Sequence, residues 1–454
     1  MRVSISQGIA ILALAAAMVI ALIRPEPTAQ APALALAVMC VGLWATGALP
    51  EYLTALILLT LAMIGNVAPG AIVFSGFQSP ALWLILGGLV MGVAVRSTGL
   101  GERVAQNMTR WFGASYWGVI AGVCGVGTLL GFCMPSSMGR VVLLMPIALS
   151  LADGYGFQPG SKGRTGVVLA AAFGSHVSTF SILPANVPNV VLAGAAESLY
   201  HFTFTYARYL LVHFPVLGLL KILIVIPLIV LGWPDTPKAF QQQTYKPITP
   251  QEKGLSALLI IALGLWATDA IHHISPAWIS MAAGILLLLP RVGLVDTKAF
   301  NSQINFGSMF YVGGVISLGA IVNQSGLGER LADYILAIVH LQPDQPFGNF
   351  MGLSVIGTVM CMLATLTAAP AILTPLAGHI VQASGLSLET VLNSQVLGFS
   401  NPLLPYESPP LVVAVALGGI GMGSAQKLCL WIALLTMLVL WPLDFLWWRI
   451  LGLL

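Results

Sequence analysis

Residues 81–103 read ALWLILGGLVMGVAVRSTGLGER, and residues 308–330 read SMFYVGGVISLGAIVNQSGLGER. Each is an apolar run with a Gly-Gly pair inside it, Gly87-Gly88 or Gly313-Gly314. Each ends in the same five residues, Gly99-Leu100-Gly101-Glu102-Arg103 and Gly326-Leu327-Gly328-Glu329-Arg330. In both places an amphipathic stretch follows, then a short broken apolar pair whose second arm carries a proline (Pro146 or Pro375), then a longer span with a Pro-rich kink. The same features in the same order, at nearly constant offset, make an internal repeat.

The solvent of this fold is lipid. Of 454 residues, 58% are hydrophobic and 7% charged, and the mean hydropathy is +0.94. A soluble domain carries about 25% charged residues. The net charge of +3 is small and spread out, which argues for neither nucleic acid nor a membrane-surface protein. Cys40, Cys124, Cys133, Cys361 and Cys429 lie in apolar runs without CxxC spacing, so they read as packing residues rather than disulfide or zinc ligands. Met1 to Ala31 has the basic start, apolar stretch and Ala29-Gln30-Ala31 ending of a signal peptide. Val3–Ile23, however, reaches the roughly 20 residues that cross a bilayer, and is read as the first helix.

The expected fold is an all-α polytopic membrane protein. An N-terminal transmembrane helix at 1–30 precedes a first repeat at 31–232, and a polar linker rich in Pro, Gln and Lys at 233–253 leads to a second repeat at 254–454. Five crossings and one re-entrant hairpin per repeat give about 11 transmembrane helices. Because five is odd, the second repeat is inverted relative to the first. With the N-terminus and the linker cytoplasmic, basic residues such as Arg96, Arg103, Arg110, Lys162, Arg164, Lys238, Lys246, Lys253 and Lys298 fall on the cytoplasmic side. Only Arg24, Arg208, Arg330 and Arg449 fall outside, as the positive-inside rule requires. The compact loops suit a bacterial inner membrane.

Four breaks interrupt the apolar spans, at Met134-Pro135-Ser136-Ser137, Pro184–Asn189, Thr365–Pro370 and Pro402–Pro410. Lipid cannot satisfy free backbone groups, so breaks at membrane depth survive only inside protein or lining water. Matched breaks in inverted repeats point to a transporter's midplane site. The helix N-termini they create suit an anion, and their free carbonyls suit a small cation. Two ionisable residues stand there. Arg140 reads either as a fork for a carboxylate, sulfate or phosphate or as a side chain snorkelling to the surface. Glu407 reads either as a proton carrier or as a structural pair. His176, near the first kink, reads as a buried histidine or a proton relay. Lys221, in mid-span, reads as snorkelling or paired. The 15 acidic residues are scattered, with no cluster of catalytic acids, histidines or metal ligands, so the chain is not expected to be an enzyme.

These residues resemble the divalent anion:sodium symporter family. Its members carry a Ser-Asn-Thr motif at each hairpin tip and a Thr-Pro-Pro-Asn-like kink in the following helix. Ser136-Ser137-Met138-Gly139-Arg140, running on to Pro146, is similar to the first tip and arm, and Thr365-Leu366-Thr367, running on to Pro375, to the second. Asn186-Val187-Pro188-Asn189 and Ser408-Pro409-Pro410-Leu411 are similar to the two kinks. The resemblance implies a homodimer with elevator-like movement and a small anion bound between the tips and kinks. It also implies sodium near Ser136, Ser137, Asn186, Thr365, Thr367 and Ser408. Arg140 falls where some dicarboxylate and citrate exchangers of the family also have arginine. The chain departs from the pattern at Ser137 and Leu366, which replace the central Asn of each tip, at Met138, which replaces Thr, and at Leu411, which replaces Asn. Leu366, Met138 and Leu411 each take a polar group away from the implied ion and substrate sites, and Ser137 exchanges the amide for a hydroxyl.

The expectation is therefore a secondary active transporter of a dicarboxylate, tricarboxylate or sulfate, coupled to sodium, to protons through Glu407, or to a counter-anion. A permease or antiporter of the same superfamily carrying arsenite or a cation is the alternative, and a membrane-embedded enzyme a more distant one.

Overall fold

The computed structural model describes residues 30–46, 48–101, 103, 115–134, 136–238, 247–290, 293–327, 341–363 and 365–454, with positions 11 and 14–18 before them. Most of the expected N-terminal helix lies outside these residues, as do Glu102, Arg110, Pro135, Lys246, Gly328-Glu329-Arg330 of the repeat signature and the middle of the linker.

No strand occurs among the described residues. The first half contains α1 (Gln30–Thr46), α2 (Glu51–Ile64), α3 (Pro80–Thr98), α4 (Tyr116–Cys133), α5 (Ser137–Gly154), α6 (Lys162–Gly174), α7 (Val187–Tyr200) and α8 (Tyr206–Gly232). The second contains α9 (Pro250–Ala267), α10 (Pro276–Leu288), α11 (Phe306–Gln324), α12 (Pro346–Leu363), α13 (Ala377–Ser384), α14 (Leu388–Phe399), α15 (Pro409–Gly418) and α16 (Met422–Ile450). Among the described residues, seven helices are long and apolar enough to cross a membrane: α3, α4, α5, α8, α11, α12 and α16. The chain is an all-α multi-pass membrane protein. α9 begins at Pro250, so the last residues of the expected linker form a helical first turn, capped by Thr249 and Glu252.

The order of elements recurs between the halves, and so does their packing. α3 crosses α10 where Gly87 meets the Ser280 carbonyl, and α11 crosses α2 where Gly314 meets Ala55. Each Gly-Gly helix thus packs on the second helix of the other half. Within each half, the helix before the first break lies on the helix that leads into the kink, α4 on α6 and α12 on α14. A Cβ on Gly174 of α6 would sit 2.6 Å from the Cα of Cys124 in α4, and one on Gly398 of α14 would sit 2.5 Å from the backbone of Gly357 in α12. Only glycine permits these crossings, and both lie immediately before a break.

The last helices match too. α8 contains a π-turn at Phe214–Leu220 and α16 one at Thr436–Leu440. Pro215 lies inside the first and Pro442 just past the second, and a missing N–H favours such a widened turn. The stretches after the first break of each half differ. α5 runs through Pro146, whereas the matching stretch splits into Ala369–Leu373, a 3₁₀ turn at Thr374–Leu376 and α13, with Pro370 and Pro375 five residues apart.

Two separate apolar cores result. One joins α1, α2, the start of α3 and α11, with Leu58, Val312 and Val315 fully buried. The other joins α4 to α8, α14 and α16, with Val167, Leu392 and Trp441 fully buried.

Candidate functional site

The breaks converge where the two cores meet. Met134 ends α4, and Ser136 starts α5 as its N-cap, its hydroxyl accepting from Gly139 N at 3.1 Å. α6 ends at Ser175, and two 3₁₀ turns lead to Asn186, which caps α7 by accepting from Asn189 N at 3.2 Å. Pro188 at the start of α7, and Pro409 and Pro410 at the start of α15, preset the helical φ where no N–H partner is needed.

Between these ends lies a cavity of about 170 Å³. From the first half it is lined by Ser136, Ser137, Met138, His176, Phe180, Asn186 and Pro188. From the second half come Leu366, Thr367, Glu407, Ser408, Pro409 and Pro410. The N-termini of α5, α7 and α15 open onto it, and so do those of α2 at Glu51 and α11 at Asn305. A hydrogen bond ties its two halves together, His176 Nε2 and Ser408 Oγ lying 2.9 Å apart, and within the second half Leu366 N donates to Glu407 O at 3.4 Å.

Several polar atoms here have no partner among the described residues: Asn186 Nδ2, His176 Nδ1, Glu407 Oε2 and, deeper, Asn189 Oδ1. The case of Asn186 is informative. Its cap fixes Oδ1 on the backbone of α7, so its NH2 is left as a donor at the cavity wall. Glu407 is half used, with Oε1 accepting from Leu404 N at 2.9 Å. Thr365 Oγ1 and Thr367 Oγ1 lie 3.1 Å apart, and Thr367 Oγ1 lies 2.6 Å from Tyr311 Oη.

Gly139, Arg140, Thr365 and Asn189 stand behind the lining rather than in it. Arg140 is 0% exposed, so it does not snorkel. All five of its N–H groups are engaged: Nε with Ser175 O at 3.0 Å, Nη1 with Ala185 O at 2.8 Å and with Met134 O, and Nη2 with Ser137 Oγ at 2.9 Å and Thr179 Oγ1 at 3.1 Å. No ion pair holds it among the described residues. It pins the first break together and leaves an unneutralised charge one side chain behind the cavity, on Ser137. A fork onto the substrate would require it to release these bonds. Lys221, also 0% exposed, does not snorkel either, and its Nζ donates to Ser400 O at 2.6 Å.

Sequence reasoning missed the opposite wall, formed by Glu51, Ile85, Asn305, Ser308 and Tyr311. Asn305, the N-cap of α11, and Ser308 and Tyr311 within it recur at three-residue spacing. Glu51, an acid just ahead of an apolar span, could have been found by the rule that selected Glu407.

The profile of the sodium:sulfate symporter transmembrane region matches residues 6–454. A membrane protein of Cupriavidus necator is 23% identical over 436 residues, 88% of this chain and 84% of its own. A sodium-dependent dicarboxylate transporter of Staphylococcus saprophyticus is 21% identical over 431 residues, 87% and 82% of the two chains. An L-tartrate/succinate antiporter of Escherichia coli is 25% identical over 266 residues, 56% of this chain and about half (54%) of that protein. Among solved structures, the YdaH transporter of Alcanivorax borkumensis superposes with a TM-score of 0.57 at 18% identity, covering 87% of this chain and 89% of its own. MtrF of Neisseria gonorrhoeae gives 0.56 at 14% identity, covering 95% and 97%. These two share the fold. With the profile spanning nearly the whole chain, this protein belongs to the sodium:sulfate symporter transmembrane family and is a membrane transporter, not an enzyme.

Proposed function

We propose that the chain is a secondary active transporter of a small dicarboxylate or related anion, bound in the cavity between the two tips and the two kinks. The observation that carries this reading is the convergence of five helix N-termini, those of α2, α5, α7, α11 and α15, on one cavity, with the unpaired charge of Arg140 behind it. Each N-terminus presents partial positive charge, α15 without free N–H groups because Pro409 and Pro410 have none and Leu411 N donates to Ser408 O at 2.9 Å, and Asn186 adds a spare amide donor. The volume equals roughly six waters at about 30 Å³ each, well below the roughly 300–1,000 Å³ of sites for drug-sized ligands. The dicarboxylate and tartrate/succinate relatives favour a diacid over sulfate.

Coupling is assigned to protons or to a counter-anion rather than to sodium. Helix C-termini at the breaks are where a coupling cation finds carbonyls. Here the matched carbonyls Ser175 O and Ser400 O already receive the fixed cations Arg140 and Lys221. The second tip adds Leu366, which has no side-chain oxygen, and two threonine hydroxyls bonded to each other. Inversion of the second repeat, a cytoplasmic N-terminus, a homodimer in the bacterial inner membrane and elevator-type movement complete the proposal. The meeting of two separate apolar cores at the cavity supports relative movement of its walls.

The test is uptake of labelled succinate, citrate and sulfate into proteoliposomes, with a sodium gradient, a proton gradient or internal counter-anion, for wild type and Glu407→Gln. Succinate uptake without sodium supports the reading. Strictly sodium-driven uptake would overturn the coupling assignment, and no uptake of any anion would overturn the substrate class.

A further inference from the structure

We propose that Glu51 is a second acid of the transport site, which takes up a proton as the anion enters and gives it up as the anion leaves. This inference rests on the carrier reading above. Glu51 is exposed and lines the same cavity as Glu407, from the opposite wall. It is the first residue of α2, its carbonyl accepting from the Trp44 side-chain Nε1 at 3.1 Å.

The lining contains two carboxyl groups, Glu51 and Glu407, and neither lysine nor arginine. An anion brought between two carboxylates meets like charge on both sides, and the neutral form of each acid is then favoured. A protonated Glu51 reverses the interaction, because its O–H donates to a substrate oxygen. The step balances: one proton adds to one Glu51 oxygen, no other bond forms or breaks, and the proton returns to water on release.

Little else near Glu51 can supply that proton. Of the helices packed against α2, α1 carries only the buried thiol of Cys40 and α11 only Tyr311. Across the cavity stand Glu407 and His176, and His176 is held by Ser408. Arg140 lies behind Ser137 with every N–H engaged. The two acids also belong to different walls, Glu51 beside the core of α1, α2 and α11 and Glu407 beside the other. Movement of the walls would part them, so the proton demand belongs to the state in which both face the anion.

The experiment measures the KM for succinate in proteoliposomes over a pH range in which succinate is fully ionised, for wild type, Glu51→Gln and Glu51→Asp. For wild type, KM rises with pH, by up to about tenfold per unit for each proton bound. Glu51→Gln flattens this slope and lowers KM at the alkaline end, because its amide donates at every pH, while Glu51→Asp keeps the slope. An unchanged slope and KM in Glu51→Gln, or a pH-independent wild type, would overturn the inference and leave the carrier reading standing. Wild type that carries no succinate would overturn both. A second measurement uses purified protein in weakly buffered detergent solution, where succinate drives proton uptake. Uptake that persists in Glu407→Gln reports Glu51, and its complete loss there would overturn the proposal.

Discussion

Replacement of Arg140 by methionine tests the central structural claim about the site, that this arginine acts from behind the cavity. Methionine keeps the apolar stem and removes every donor. Three buried carbonyls, those of Met134, Ser175 and Ala185, lose the guanidinium. At about 1–3 kcal/mol for each buried group left unsatisfied, the loss is about 3–9 kcal/mol, a large part of the roughly 5–15 kcal/mol that holds a native protein together. The charge contributes separately. A substrate carboxylate about 7 Å from the guanidinium, at an effective dielectric constant near 20, is attracted by about 2.4 kcal/mol, or roughly 50-fold in affinity. Arg140→Lys separates the two effects. It keeps the charge but supplies three donors for five acceptors, losing about 3–6 kcal/mol for two charge-assisted bonds. The assay is the melting temperature in detergent, with uptake normalised to folded protein. Both variants should melt well below wild type, and only Arg140→Met should also raise the KM. Wild-type melting and wild-type KM in Arg140→Met would refute the reasoning.

Three other outcomes follow from the geometry. Gly398→Ala places a methyl 2.5 Å from the Gly357 backbone and should cost about 1–3 kcal/mol in thermal or denaturant stability, whereas Gly264→Ala, with nothing within 4 Å, should be neutral or slightly stabilising. Tyr311→Phe removes the 2.6 Å bond between α11 and the Thr367 hydroxyl, a loss of about 0.5–1.5 kcal/mol, and should change the turnover rate of exchange with little change in melting temperature. At the start of α9, the Arg103 guanidinium holds the Glu252 carboxyl down at about 2, helped by the Thr249 backbone. The folded value lies below the ordinary carboxylate value of about 4.3, so this contribution is present above that pH and fades as pH falls toward 2. Melting curves between pH 6 and 3 should therefore fall less steeply for Glu252→Gln than for wild type.

The repeat shows how far a linear pattern reaches. Gly87-Gly88 and Gly313-Gly314 were visible as pairs because helix crossings need small residues at fixed places, and composition alone made lipid the solvent. The kinks were visible at Asn186–Pro188 and Ser408–Pro410 because proline and short polar caps end helices through local chemistry. Arg140 and Lys221 were harder to place. Snorkelling and burial leave the same mark in a sequence, and the carbonyls that hold them come from other segments: Ser175 and Ala185 for Arg140, and Ser400 for Lys221.

By itself the sequence determined the all-α membrane class, the doubled element order and the four breaks, since hydropathy, periodicity and helix capping act over a few residues. Only the tertiary structure decided that the breaks share one cavity, that Arg140 stands behind it, and that Glu51 and Tyr311 form the far wall. Those facts depend on which helix faces which, and that is settled by packing between segments hundreds of residues apart.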